Sequence, residues 1–156
     1  MPEPPRKGRV GPTPEDFQHL LAFRVSLRQF QHWSETQARA AGLTHAQHQL
    51  LVAIKGHLGP APPAIGDLAA YLLLRHHSTV ELVDRAASAG LVRRVADPDD
   101  ARVVRVKLTS KGNRLVIELT RVTLAELQRL ASTLNQLAQG SELAEEHLAQ
   151  VVDQAG

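Results

Sequence analysis

Cysteine is absent from this 156-residue chain. That excludes disulfides, thiolate zinc sites, iron–sulfur clusters and any cysteine-based redox switch. Aromatic residues make up only 3% of the chain, too few for a stacking platform that holds single-stranded nucleic acid. No apolar run approaches the roughly 18 residues of a membrane-spanning helix. The opening residues Met1 to Val10 lack the apolar stretch of a secretory signal, so a cytoplasmic protein with no membrane partner is expected. A Gly-rich phosphate loop, a metal triad and a Gly-x-Ser-x-Gly elbow are all missing. Asp97, Asp99 and Asp100 sit in a turn rather than a pocket. An enzyme is therefore not expected, and neither is a cofactor.

What is present suits one domain with an ordinary core: 43% hydrophobic and 22% charged residues. The formal net charge of +2 is bland, but its distribution is not. Residues 1–10 carry +2, residues 11–70 carry 0, residues 71–114 carry +4 and residues 115–156 carry −4. A basic middle beside an acidic end points to one surface built for a polyanion.

Residues 1–12 are rich in Pro and Gly, are basic, and read as a flexible arm. Thr13-Pro14-Glu15-Asp16 is a helix start, with Thr as cap, Pro in the first position and acids in the first turn. Phe17, Leu20, Leu21, Leu27, Phe30 and Trp33 continue at helical spacing until Gly42. Thr44-His45-Ala46-Gln47 reads as a capping box, followed by a stripe of Leu50, Leu51, Ile54 and Leu58. After a Pro-rich loop, Ile65, Leu68, Ala69 and Leu72 mark a short helix with Gly66 as a modest cap. A helix over about 76–89 turns Thr79, Leu82, Val83 and Ala86 inward and ends at Gly90. The period then changes. Leu91 to Val95 is a short β-branched strand, Asp97 to Ala101 is turn chemistry, and Val103 to Leu108 alternates. Val104, Val106 and Leu108 share one face; Arg105 and Lys107 share the other, basic one. Thr109-Ser110 caps a helix to about residue 138, Gly140 and Ser141 interrupt it, and residues 142–153 form a last acidic helix.

Two short helices in close succession followed directly by a basic hairpin make a winged helix-turn-helix. The fold class is mainly α with a small β-hairpin wing, and with N- and C-terminal dimerisation helices. The winged domain spans residues 43–109, and residues 13–42 and 110–156 form the helical dimerisation region. One helix fits the major groove of DNA, and a β-ribbon reaches toward the minor groove. The outer helices carry apolar stripes that so small a module cannot cover, and a two-fold homodimer supplies the cover.

Leu91 to Gly112 resembles the wing signature of the MarR family of bacterial transcriptional regulators, Gly-Leu-Val-x-Arg, Asp-Pro-x-Asp-x-Arg and Leu-Thr-x-x-Gly in order. Leu43-Thr44-x-x-Gln47, Leu68-Ala69 and Leu82-Val83-Asp84-Arg85 are similar to the family's other short blocks, and the likeness runs over about residues 15–140. The resemblance implies a dimeric, sequence-specific regulator of double-stranded DNA with a pseudo-palindromic operator. It further implies a repressor released by a small aromatic or phenolic effector. The alternative is a winged-helix protein-interaction module without specific DNA binding.

By this resemblance Arg102 is the wing-tip arginine that enters the minor groove, and Asp100 fixes an arginine. Arg75, His76, His77, Ser78, Val80, Glu81 and Arg85 lie on or before the recognition helix. Arg93, Arg94, Arg105 and Lys107 are phosphate candidates on the hairpin. The chain departs from the family at Ala101, Val80 and Glu81, and Arg75 is a poor cap. Phe30, Trp33 and His48 are candidates for an effector pocket, with a core role as the alternative for the two aromatics. His45 and His48 lie three apart on one helix, and His19 and His32 lie on the first. A metal site is not expected, because zinc without cysteine needs three or four converging ligands and residues 111–125 hold no His.

Overall fold

The computed structural model describes residues 11–139 and 142–155. The expected arm at 1–12, apart from its last two residues, and the Gly140-Ser141 break lie outside the described residues. In chain order the elements are α1 (Pro14–Ala40), α2 (His45–Lys55), α3 (Ile65–Leu72), α4 (His76–Ser88), β1 (Val92–Ala96), β2 (Val104–Leu108), α5 (Ser110–Gln139) and α6 (Glu142–Ala155). All eight stand where the apolar periods put them. The helices start for local reasons. Thr13 donates its amide to Asp16 Oδ2 at 2.8 Å, and Thr44 and Gln47 complete the reciprocal capping box. Two starts or stripes need correction. Leu58 is not part of the α2 stripe: the helix stops at Lys55, and Leu58 is 96% exposed. The cap of α3 is Ala64 rather than Gly66; its amide is taken by Asp67 Oδ2 at 2.9 Å, so the acid of the first turn does the capping.

The chain divides into two compact units, residues 33–124 and residues 1–32 with 125–156. In the first unit, Leu50, Leu51, Leu68, Leu82, Val83, Leu91, Val106 and Val116 form a continuous buried core. The inward residues of α4 foreseen from spacing, Thr79, Leu82, Val83 and Ala86, are all buried. The hairpin is antiparallel with Val92 opposite Leu108, Arg94 opposite Val106 and Ala96 opposite Val104. Ala64 adds an isolated bridge to Arg105, and Val106 donates its amide to the Pro63 carbonyl at 2.9 Å. The α2–α3 loop is thus hydrogen-bonded to the second wing strand.

One carbonyl joins the end of α4, the hairpin and α5. The Leu91 oxygen accepts the Thr109 amide at 3.0 Å and lies 3.1 Å from the Thr109 hydroxyl oxygen. That hydroxyl donates to the Gly90 carbonyl at 2.6 Å and accepts the Gly112 amide at 3.1 Å. A Cβ at Gly112 would stand 2.1 Å from the Leu91 oxygen. The Leu-Thr-x-x-Gly motif is therefore a backbone joint: Thr supplies the bonds, and Gly supplies the clearance.

His48 is 3% exposed on α2, and neither ring nitrogen has a hydrogen-bond partner among the described residues. Burial first, and the neighbouring His45 second, hold its pKa below the ordinary value of 6.5.

In the second unit, Ala22, Leu137 and Ala144 are buried, and Leu148 packs against them. Ser26 gives its single hydroxyl proton to the Ala22 carbonyl at 2.9 Å. His147 Nε2 lies 3.0 Å from the same oxygen. This unit exposes Phe17, Leu20, Leu21, Phe23, Leu27, Leu127, Leu143 and Val152. Among the described residues no helix is long and apolar enough to cross a membrane.

Two outcomes follow. Gly112→Ala forces the α5 backbone away from Leu91 and is expected to destabilise the protein by about 1–3 kcal/mol in chemical denaturation. An unchanged midpoint would disprove the joint. For His48, the folded chain binds fewer protons than the unfolded chain, so its contribution is fully present above pH 6.5 and is lost as pH falls toward the lowered folded value. His48→Leu is expected to raise stability by about 1 kcal/mol and to flatten the decline between neutral and mildly acidic pH. Equal pH slopes in the two proteins would contradict this.

Candidate nucleic-acid interface

The helix-turn-helix is built on an unusual turn. Helix α3 closes with Leu73 in the left-handed region, φ 54 and ψ 39. The Leu74 amide returns to the Ala69 carbonyl at 3.0 Å and the Leu73 amide to Ala70 at 3.3 Å, a double closure that usually falls to glycine. Leu73 is 92% exposed, so burial does not offset the left-handed backbone. The closure fixes where α4 begins. Arg75 caps α4 by position, without a side-chain hydrogen bond, as its residue type implies. Thr79 sends its hydroxyl to the Arg75 carbonyl at 3.0 Å, a bond that does not engage the first-turn amides.

Arg75, His76, His77, Glu81 and Arg85 are exposed, and Ser78 and Val80 are half-buried, with Val80 packed on the core. Four of the residues singled out from sequence, His76, Val80, Arg94 and Arg102, meet around one cavity of about 290 Å³. The start of α3 and residues Val103 and Val104 complete it. Arg94 reaches back from β1 to α4, its Nη2 lying 2.6 Å from Asp84 Oδ1. Asp84 was not foreseen as its partner.

The wing tip is ordered by two carboxylates. Asp97 Oδ1 accepts the amides of Asp99 at 2.8 Å and Asp100 at 3.0 Å. Asp100 Oδ1 accepts the Arg102 amide at 3.0 Å and approaches Arg102 Nε at 3.3 Å. Asp100 thus does fix an arginine. The Arg102 side chain remains 92% exposed, its guanidinium projecting from the tip.

Arg105 shares a face with Lys107, as alternation put it, but its side chain is turned into the protein. Only 23% of its side chain is exposed. Its Nε donates to Asp97 Oδ2, and its Nη1 donates to the Pro62 carbonyl at 2.7 Å. The physical reason is cross-strand geometry: Arg105 pairs with Val95 in register, so its face also carries Asp97, one diagonal step away. The Arg105 bond, followed by the two amides, holds the Asp97 carboxyl below the usual carboxylate range. The outer basic face is left to Arg93 and Lys107, directly opposed and both exposed. Two like charges in that position repel unless an anion faces them.

The candidate effector residues are divided between the units. Phe30 borders a recess of about 20 Å³ with Ser26, Leu130 and His147, a space for about one water. Trp33 and His48 belong to the winged unit, half-buried and buried respectively.

Residues 41–103 match the model of the MarR family. Over 55 residues the chain is 42% identical to the HTH-type transcriptional regulator YsmB of Bacillus subtilis, a stretch covering 35% of this chain and 38% of that protein. The structure is similar to that of AbsC, a MarR family transcriptional regulator from Streptomyces coelicolor, with TM-score 0.68 and 21% identity, covering 91% of this chain and 99% of that one. It is also similar to MepR of S. aureus in its complex with DNA, with TM-score 0.64 and 20% identity, covering 87% and 95% of the two chains. At such identities the likeness is one of fold.

Proposed function

We propose that this chain, whose residues 41–103 match the model of the MarR family and whose fold is similar to that of a MarR family transcriptional regulator, is a sequence-specific DNA-binding regulator acting as a homodimer at a pseudo-palindromic operator. The observation that carries the reading is the shared cavity edge of His76, Val80, Arg94 and Arg102, which sets the start of α4 beside the wing tip. A helix that enters a major groove and a ribbon that reaches a neighbouring minor groove need that adjacency. The first-turn amides of α4, which no side chain caps, suit a phosphate, since a helix N-terminus favours an anion. Arg93 and Lys107 suit a second phosphate. Arg102 suits a narrow minor groove. Ser78, Glu81 and Val80 are the groups on this helix that read bases, Val80 by contact with a thymine methyl.

Homodimerisation is supported by the large apolar residues exposed on α1, α5 and α6, Phe17, Leu20, Leu21, Leu127 and Leu143 among them. Ligand control rests on the family likeness, as does the repressor role. A small aromatic or phenolic effector that weakens DNA binding must bind the DNA-bound form more weakly in turn. The operator places the protein in the cytoplasm.

Arg102→Ala is expected to weaken binding to the cognate duplex by about 1–3 kcal/mol in a fluorescence-anisotropy titration, with the dimer mass unchanged. Unaltered affinity would refute the wing assignment. Truncation after Arg129 removes α6 and the end of α5. It is expected to give a monomer by light scattering that has lost specific binding, whereas a truncated dimer would refute the dimerisation region.

A further inference from the structure

Among the cations singled out on the wing, Arg105 has both ends of its guanidinium committed inside the protein. Its Nε donates to Asp97, and its Nη1 donates to the Pro62 carbonyl at 2.7 Å. The two acceptors belong to different parts of the winged unit. Asp97 opens the wing tip, and Pro62 lies in the loop that leads into α3. The same loop is bonded to β2 through Val106 and Pro63, and through the Ala64–Arg105 bridge. Asp97 is in turn the hub of the tip. Its other oxygen holds the Asp99 and Asp100 amides, the Asp97 amide donates to the Val103 carbonyl at 3.2 Å, and Asp100 holds Arg102. A chain of bonds thus runs from the α2–α3 loop through Arg105 and Asp97 to the exposed Arg102.

We propose that Arg105 is a positioning residue, a strut between the Pro62 carbonyl and Asp97 that sets the wing tip and so aims Arg102, and that it contacts no phosphate itself. The proposal rests on the DNA-binding reading above. A guanidinium suits this task because its planar fork serves two acceptors at once; an ammonium is a point charge. A direct phosphate contact makes the opposite demands, since charge alone would suffice and a neighbouring carboxylate would weaken it.

Two substitutions separate these cases. Asp97→Asn removes a negative charge from the wing and leaves every cation in place. A phosphate-contacting Arg105 would then bind DNA as well or better. The strut predicts weaker binding, by about 3–10-fold, because the tip loses its hold on Arg105 while electrostatics alone would favour DNA. Arg105→Lys keeps the charge, so a phosphate contact would survive, whereas the strut predicts a loss similar to that of Arg105→Met. In an Arg102→Ala background, neither Asp97→Asn nor Arg105→Met should weaken binding further, because the strut acts through Arg102. Affinity is read by fluorescence anisotropy on the full-length protein with its upstream duplex. The slope of log affinity against log salt is measured alongside; each lost phosphate contact would lower it by about 0.9.

A second readout needs no DNA. Amide hydrogen exchange at Asp99, Asp100 and Arg102 in the free protein should quicken in Arg105→Met, while exchange in α4 and α5 stays at the wild-type rate. Additive losses with Arg102→Ala, full activity of Arg105→Lys, or unchanged exchange at the wing tip would each overturn the strut. A wild-type protein that binds no duplex would overturn the DNA-binding reading instead, and the exchange rates would then decide the strut alone.

Discussion

The winged unit depends on the close approach between the Leu91 carbonyl and the first turn of α5. At that point the end of α4, the start of β1 and the end of β2 come to one place, held by Thr109 and cleared by Gly112. The wing leaves this joint in a fixed direction, because both of its strands are anchored there. Helix α4 ends at Ser88, three residues before it. Its inner face is set by Leu82, Val83 and Ala86 in the same core that buries Leu91 and Val106. Relative placement of helix and ribbon is therefore a consequence of one backbone contact and one shared core. The proposed DNA-reading surface inherits its geometry from them.

Charge on that surface is sorted rather than spread. Arg94 is paired with Asp84, Arg105 with Asp97, and Arg102 rests on Asp100 while its guanidinium stays in water. Carboxylates so close to a polyanion cost affinity through repulsion. They are explained if each holds a cation or a loop in place: Asp84 ties β1 to α4, Asp97 shapes the tip, and Asp100 aims Arg102. On the hairpin, Arg93 and Lys107 have no such carboxylate tether among the described residues and face each other across the strands. Fixed geometry at the tip and free charge on the ribbon correspond to the two tasks of a DNA contact, specifying and adhering.

Much of this was legible in the residues. Apolar spacing placed every helix, and Thr13 and Thr44 gave their starts. The change from period 3.6 to period 2 after Gly90 gave the hairpin. The inward set of α4 was readable because a four-turn helix has only one way to bury Leu82, Val83 and Ala86 together. Alternation gave the face of Arg105 but not its partners, because it says nothing of what lies beside a strand. Its acceptors, Asp97 and the Pro62 carbonyl, become neighbours only through the register of the tip and the path of a loop 43 residues earlier. Leu58 was misread because the stripe continued at helical spacing past Lys55, although the helix itself ends there. Leu73 and Leu74 stand where a helix-turn-helix turn is expected to carry small or polar residues, and the left-handed backbone at Leu73 is imposed by the closure of α3 rather than by its own preference. Candidate base readers were legible as positions on a helix; which of them reads a base is decided by the DNA.

The account stands on specific, charge-driven recognition of duplex DNA by the winged unit. The most direct test is the affinity of the full-length protein for a duplex from its own upstream region, compared with a scrambled duplex over a range of salt concentrations. The account predicts a preference for the native duplex and a linear fall of log affinity with log salt, with a slope of several units for a dimer. Equal and weak binding to both duplexes, or binding that does not respond to salt, would contradict it.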